Sequence, residues 1–235
     1  MKEWLIFVSF LYFNISSGQD ISKPDEVNYK ILFGEKYFGA YSYLSSQQWI
    51  TDTLRLSGID PAFAKAIVFP EIIRFSALQN ALEMQGLFTL YVQYGASYAN
   101  FSVGRFQMKP EFAELIERDA KNLSGFYSQR FKNVDNSITP EARIARVNRL
   151  NSMNWQVQYL IGFMKIMDQK YEKIRWTSAT EKLQFYATAY NCGFTKPEKE
   201  IRKKMIEKHF HTSSFRSNIC YNYCAISNEY YYSKK

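Results

Sequence analysis

Histidine and cysteine are scarce in this chain, and the scarcity removes whole classes of chemistry. Two histidines, His209 and His211, and three cysteines, Cys192, Cys220 and Cys224, offer no spacing that suits a metal ion. No metal and no other cofactor is therefore expected. An odd number of cysteines leaves at least one thiol unpaired even where disulfides are permitted. Cys220 and Cys224 lie four apart, so a helix there would put both on one face and allow one optional bridge. Packing is the ordinary role for all three. Long apolar runs are also rare. WLIFVSFLYF, residues 4–13, follows Lys2 but is too short to cross a bilayer and has the length of a signal-peptide core. Ser16, Ser17 and Gly18 then supply a cleavage site before Gln19. Residues 1–18 are expected to be a signal peptide, although Glu3 weakens its positive end and leaves an uncleaved anchor as the alternative. No cysteine near the site suggests a lipoprotein. The mature chain is expected in the periplasm or secreted, without stable membrane insertion.

What is present points to one folded body. Of 235 residues, 46% are apolar and 17% aromatic, which excludes a disordered chain and is enough for one substantial core. A formal charge of +8 favours anionic partners: nucleic acid, a membrane surface or an anionic wall polymer. Nucleic acid conflicts with the export signal and is set aside. Residues 19–45 show no clear period and read as an extended N-terminal arm on a domain that spans 46–235. Within that domain helical patterns dominate. Asp60 and Pro61 form an N-cap and first-position pair after a turn at Gly58, and Pro110 opens another helix. Pro70 is expected to kink or restart its helix, which then runs on through EIIRFSALQNALEMQGLFTLYVQYG. A short strand or loop element is expected near residues 97–107. Thr139 and Pro140 begin a further helix, and Val157, Leu160, Ile161, Met164, Met167 and Tyr171 trace the apolar face of a long one. Ser178 and Glu181 form a capping box, and Gly193 suits a helix end. The charged run from Lys196 reads as a solvated helix, and CYNYCAISNEYYY as a closing helix with its aromatics packed inward. The fold class is mainly α.

Three segments carry possible chemistry. In VFPEIIRFS, Glu71 shares a helical face with Phe75, Leu78 and Leu82, and with Phe63 and Ile67 if the helix passes through Pro70. A carboxyl on an apolar face is partly desolvated, which raises its pKa and suits it to act as a general acid. The ordinary reading is an exposed glutamate at a helix start, favoured there by the helix dipole. In NFSVGRFQMKP, Gly104 allows close backbone approach, while Ser102 and Gln107 can donate to sugar hydroxyls or N-acetyl groups. In YATAYNCG, Tyr190 and Asn191 precede Gly193 at a helix end. Each of the last two is weak alone.

In this order the three segments resemble the lytic transglycosylases of the lysozyme superfamily, which cleave the glycan of bacterial peptidoglycan. That family carries a catalytic glutamate at a helix end, then Gly-Leu-Met-Gln-x-x-Pro, then Ala-Tyr-Asn-x-Gly. The matching residues here are Glu71, then Gly104 through Pro110, then Ala189 through Gly193. The resemblance covers roughly residues 60–195 and leaves the arm and the basic tail, 196–235, outside. Arg105 and Phe106 replace the usual Leu-Met pair, Cys192 stands where a small or apolar residue is usual, and the gap from Glu71 to Gly104 is long.

The resemblance implies a lysozyme-like α+β fold and peptidoglycan glycan strands as the partner. It implies Glu71 as acid and then base in forming a 1,6-anhydro sugar, with Tyr190 orienting Glu71. Ser102, Gly104, Gln107 and Asn191 would hold the sugars. The nearest alternative is hydrolysis, as in goose-type lysozymes, which usually needs a second carboxylate. Aspartate is absent from residue 61 through residue 118, Glu83 points away on the helical wheel, and Glu111, Glu114 and Glu117 lie beyond the turn. That favours the anhydro route unless Asp119 or Asp168 folds back. The other alternative is a non-catalytic glycan-binding module.

Overall fold

A computed structural model of the chain describes residues 27–123, 126–212 and 219–233. The expected signal peptide, residues 1–18, lies outside these residues. In chain order the helices are α1 (Tyr29–Phe33), α2 (Glu35–Ser46), α3 (Gln48–Leu56), α4 (Pro61–Arg74), α5 (Ala77–Tyr94), α6 (Pro110–Asp119), α7 (Phe126–Lys132), α8 (Pro140–Leu150), α9 (Met153–Lys170), α10 (Ala179–Cys192), α11 (Glu198–Lys204) and α12 (Tyr223–Tyr232). No sheet occurs among the described residues, and the architecture is a mainly α single domain. Two isolated antiparallel bridges, Val103 with Met108 and Phe210 with Tyr221, are the strand-like pairings there.

Helix α4 is the axis of the molecule. Every side chain from Phe63 to Ile73 is buried, because α2, α3, α9, α10 and α12 all pack on it. A helix that is apolar all round can only sit inside a core. Its start follows from the sequence: the Asp60 carboxylate accepts from the Ala62 amide at 2.8 Å, and Pro61 occupies the first turn. Lys65 is the cation of this interior, and its Nζ donates to the Leu44 carbonyl at 2.8 Å and the Thr51 hydroxyl at 2.7 Å.

Pro70 neither stops nor restarts α4. The ring removes one backbone donor, a loss of about 3 kcal/mol in an exposed helix, but packing on all sides carries the helix through to Arg74. The break comes later, at Phe75 and Ser76, so α5 is a separate helix. Leu78 and Leu82 consequently leave the face of Glu71 and are 72% and 57% exposed. Phe63 and Ile67, on the same face upstream, are buried as expected.

The expected extended arm is helical from Tyr29. Helices α1 and α2 are tied to the far end of the chain, because the Glu229 carboxylate of α12 accepts from the amides of Tyr29 at 2.8 Å and Lys30 at 2.9 Å. A carboxylate at a helix N-terminus satisfies orphan donors and complements the dipole. Tyr37 of α2 meets Phe69 edge-on at 4.8 Å, and Phe69 stacks on Tyr230 at 4.2 Å. Much of the aromatic content is therefore spent inside the core. The charged run after Lys196 is helical only over Glu198–Lys204, and α12 then packs on α4 and α10 with Tyr223, Tyr230 and Tyr231 buried.

A second set of buried charges holds α6 and α8 together. Glu117, fully buried, receives Arg146 at 2.8 Å, Arg149 at 2.8 Å and the Tyr159 hydroxyl at 2.5 Å. Arg146 also donates to the Tyr91 hydroxyl at 2.9 Å. Each charge is matched by several partners, the condition for burying it.

Candidate functional site

Glu71 lies in the last turn of α4 and is 3% exposed. This is the opposite helix end from the one the ordinary reading assumed. The C-terminal dipole disfavours an ionised carboxylate, and burial pushes the Glu71 carboxyl above its usual range. Arg74, hydrogen bonding with the Asn191 side chain, the charge of Lys109 and hydrogen bonding with Tyr223 oppose that shift without cancelling it. Arg74 Nη2 lies 2.7 Å from Glu71 Oε2. The contact is close but poorly aligned: Oε2 and Arg74 Nε are both buried with no hydrogen-bond partner among the described residues.

A cavity of about 420 Å³ opens beside this pair. Its walls include Glu71, Arg74, Asn100, Gln107, Lys109, Glu111, Tyr190 and Asn191. They come from the end of α4, from the segment that runs from Asn100 through a turn into the first residues of α6, and from the end of α10. That turn is closed by Val103 and Met108, which exchange amide-to-carbonyl bonds of 2.9 and 3.2 Å. Gly104 and Gln107 both take positive φ within it, +69° and +49°. Tyr190 donates to the Phe106 carbonyl at 2.8 Å and so fastens the turn to α10.

The positions singled out in the sequence separate into two groups. Glu71, Gln107, Tyr190 and Asn191 meet in the cavity. Tyr190, however, spends its hydroxyl proton on Phe106, and the side chain that hydrogen-bonds Glu71 from α10 is Asn191. Asn191 is itself held by His209, with Nε2 2.9 Å from its Oδ1, which turns the amide nitrogen toward the carboxyl. Ser102 and Gly104 are absent from the cavity wall. Ser102 is buried and accepts a long contact from Arg74 at 3.4 Å. Gly104 answers a packing need, since a Cβ there would sit 1.6 Å from Gln156 Nε2. Gln156 in turn accepts from the Phe106 amide at 2.8 Å and donates to the Leu150 carbonyl at 2.6 Å, bracing the turn.

Several site residues were not read from the sequence. Arg74 stands three residues after Glu71, so its proximity was legible as an i,i+3 pair. Lys109 lay inside the quoted motif. Tyr223, His209 and Phe210 come from the tail that the resemblance excluded, and they had no local signal. Tyr223 is buried, donates its hydroxyl proton to the Ile67 carbonyl at 2.8 Å and lies beside the Glu71 carboxyl. Phe210 lies 5.4 Å beneath the Arg74 guanidinium and 4.9 Å from the Tyr223 ring.

Glu111, assumed from the sequence to lie beyond reach, is in the cavity wall, with its Oε2 accepting from Asn100 Nδ2 at 2.8 Å. Glu114 and Glu117 point instead into the Arg146 network. Asp168 is engaged elsewhere by Lys182 at 2.6 Å and Tyr186 at 2.8 Å, and Asp119 by Arg118 at 2.6 Å.

The three cysteines are free. Cys220 precedes α12 while Cys224 lies within it, so the two do not share a helical face. The Cys192 thiol, in the cavity wall, is pushed up to about 11 by burial and stays protonated. No group of three or more metal-ligating side chains occurs among the described residues. No family model, no curated protein and no solved structure matches the chain.

Proposed function

We propose that the protein is a peptidoglycan lytic transglycosylase that cuts between N-acetylmuramic acid and N-acetylglucosamine. The observation that carries this reading is a buried carboxyl with a raised pKa, Glu71, opening onto a cavity lined by polar donors. The resemblance of its three motif segments supplies the reaction type. Protonated Glu71 gives its proton to the bridging oxygen as the bond from C1 breaks. The resulting carboxylate takes the proton from the C6 hydroxyl, whose oxygen closes on C1 as a 1,6-anhydro ring. Glu71 ends protonated, and no water is consumed. Asn191 holds the carboxyl in place, and Gln107 faces the sugars. The reading carries with it a lysozyme-like fold family and a periplasmic or secreted location.

The test is Glu71→Gln against wild type on purified peptidoglycan. Solubilised glycan from wild type and none from the variant supports the assignment. Equal release by both, or release by neither, contradicts it.

One observation favours hydrolysis as a second reading. Glu111 shares the cavity with Glu71 and could hold an attacking water. Products ending in reducing muramic acid, together with their loss in Glu111→Gln, would replace the first reading with this one.

A further inference from the structure

Glu71 and Arg74 present a conflict if Glu71 is to work as an acid. A guanidinium nitrogen 2.7 Å from a carboxyl favours the ionised form, and an ionised carboxylate has no proton to give. Burial keeps the Glu71 carboxyl above its usual range despite this contact, and a substrate group that drew the arginine away would raise it further. The geometry already fits Arg74 for another partner. Its contact with Glu71 is one-armed, and its Nε is buried with no hydrogen-bond partner among the described residues. Among the described residues Nη2 also contacts the Ser102 hydroxyl, at 3.4 Å. The guanidinium carbon lies 5.4 Å from the Phe210 ring centroid, a cation–π contact that helps to position the fork. The side chain is one quarter exposed and stands in the cavity wall together with Lys109. A planar guanidinium with one unpartnered donor, standing in a cavity wall, is suited to receive a carboxylate through two parallel hydrogen bonds.

We infer that Arg74 is the carboxylate-recognition residue of this cavity, and that a muramyl carboxylate on the substrate takes its guanidinium away from Glu71. This rests on the glycan reading above and adds the substrate feature that the site selects. Muramic acid differs from glucosamine by a lactyl ether that ends in a carboxyl group, either free or extended by a peptide with its own carboxylates. Pairing that acid with Arg74 leaves Glu71 buried without its counter-charge, the state in which a carboxyl holds a proton best. An uncharged glycan of the same shape leaves the Glu71–Arg74 contact intact. Recognition and activation of the acid are thereby one event.

The experiment is calorimetric titration of the full chain with four ligands: N-acetylmuramic acid, its methyl ester, muramyl dipeptide and N-acetylglucosamine. Wild type is expected to bind an acid about tenfold or more tighter than the ester. Preference for N-acetylmuramic acid places the lactyl carboxylate on Arg74, and preference for muramyl dipeptide places the peptide carboxylate there. Arg74→Gln is expected to bind acid and ester alike, and Arg74→Lys to keep only part of the preference. Equal binding of acids and ester by wild type, no binding of either acid, or an undiminished preference in Arg74→Gln overturns the inference. Glycan release from sacculi is read separately. Release without carboxylate preference removes this inference alone, whereas preference without release removes the enzymatic reading alone.

Discussion

Within one turn of α4, burial and the helix dipole push the Glu71 carboxyl toward its neutral form while Arg74 pulls it toward the charged one. The balance makes a signed expectation about pH. An acid catalyst is active while protonated, so activity falls as pH rises through the raised pKa. Arg74→Gln removes the largest charge opposing that shift, so the pKa rises further and the alkaline limb of kcat/KM moves to higher pH. A rate–pH profile on sacculi checks this, and a limb that stays in place contradicts it. Gly104 shows how a residue can be read correctly as special and wrongly as to why. The sequence marked it for close approach to a ligand, yet its positive φ and the Gln156 side chain 1.6 Å from any added Cβ make it a packing glycine. Gly104→Ala is expected to cost about 2 kcal/mol or more in urea unfolding. An unchanged midpoint would return Gly104 to the ligand.

Helix starts were legible because their caps are local. Asp60, Thr139 and Ser178 each accept from the amide of a residue in the first turn, as their spacing announced. Other elements were settled by distant contacts. α2 carries no strong amphipathic period, and it is the fit of Tyr37 against Phe69 and the clasp of Glu229 on α1 that place the first helices. For the same reason the restart allowed for at Pro70 does not occur, since a proline inside a fully packed helix is tolerated where an exposed one is not. The α6–α8 junction is likewise tertiary in origin: Glu117 sits on an ordinary amphipathic helix, and nothing local shows that two arginines converge on it. Glu117→Ala leaves Arg146 buried and without its main partner. It is expected to lower unfolding free energy by about 3–5 kcal/mol, read from the denaturant midpoint. A loss under about 1 kcal/mol would mean that the network contributes little to stability.

Across the whole molecule, the site was legible in its centre and illegible at its rim. Glu71, Gln107, Tyr190 and Asn191 stood out in the sequence and do meet in one cavity. The back wall did not stand out, because Tyr223 reaches the carbonyl of Ile67 from 156 residues away and His209 reaches Asn191 from the segment between α11 and α12. The closing helix was expected to pack its aromatics inward, and it does, but nothing local shows that it packs on α4. That packing also explains the shelter of Glu71, since α12 covers the helix that carries it. The central claim is that this sheltered carboxyl serves first as acid and then as base on a glycan. Mass spectrometry of the products released from whole sacculi tests it most directly. The account expects muropeptides ending in 1,6-anhydro-muramic acid from wild type and none from Glu71→Gln. Reducing-end muramic acid, or the same products from the variant, would contradict it.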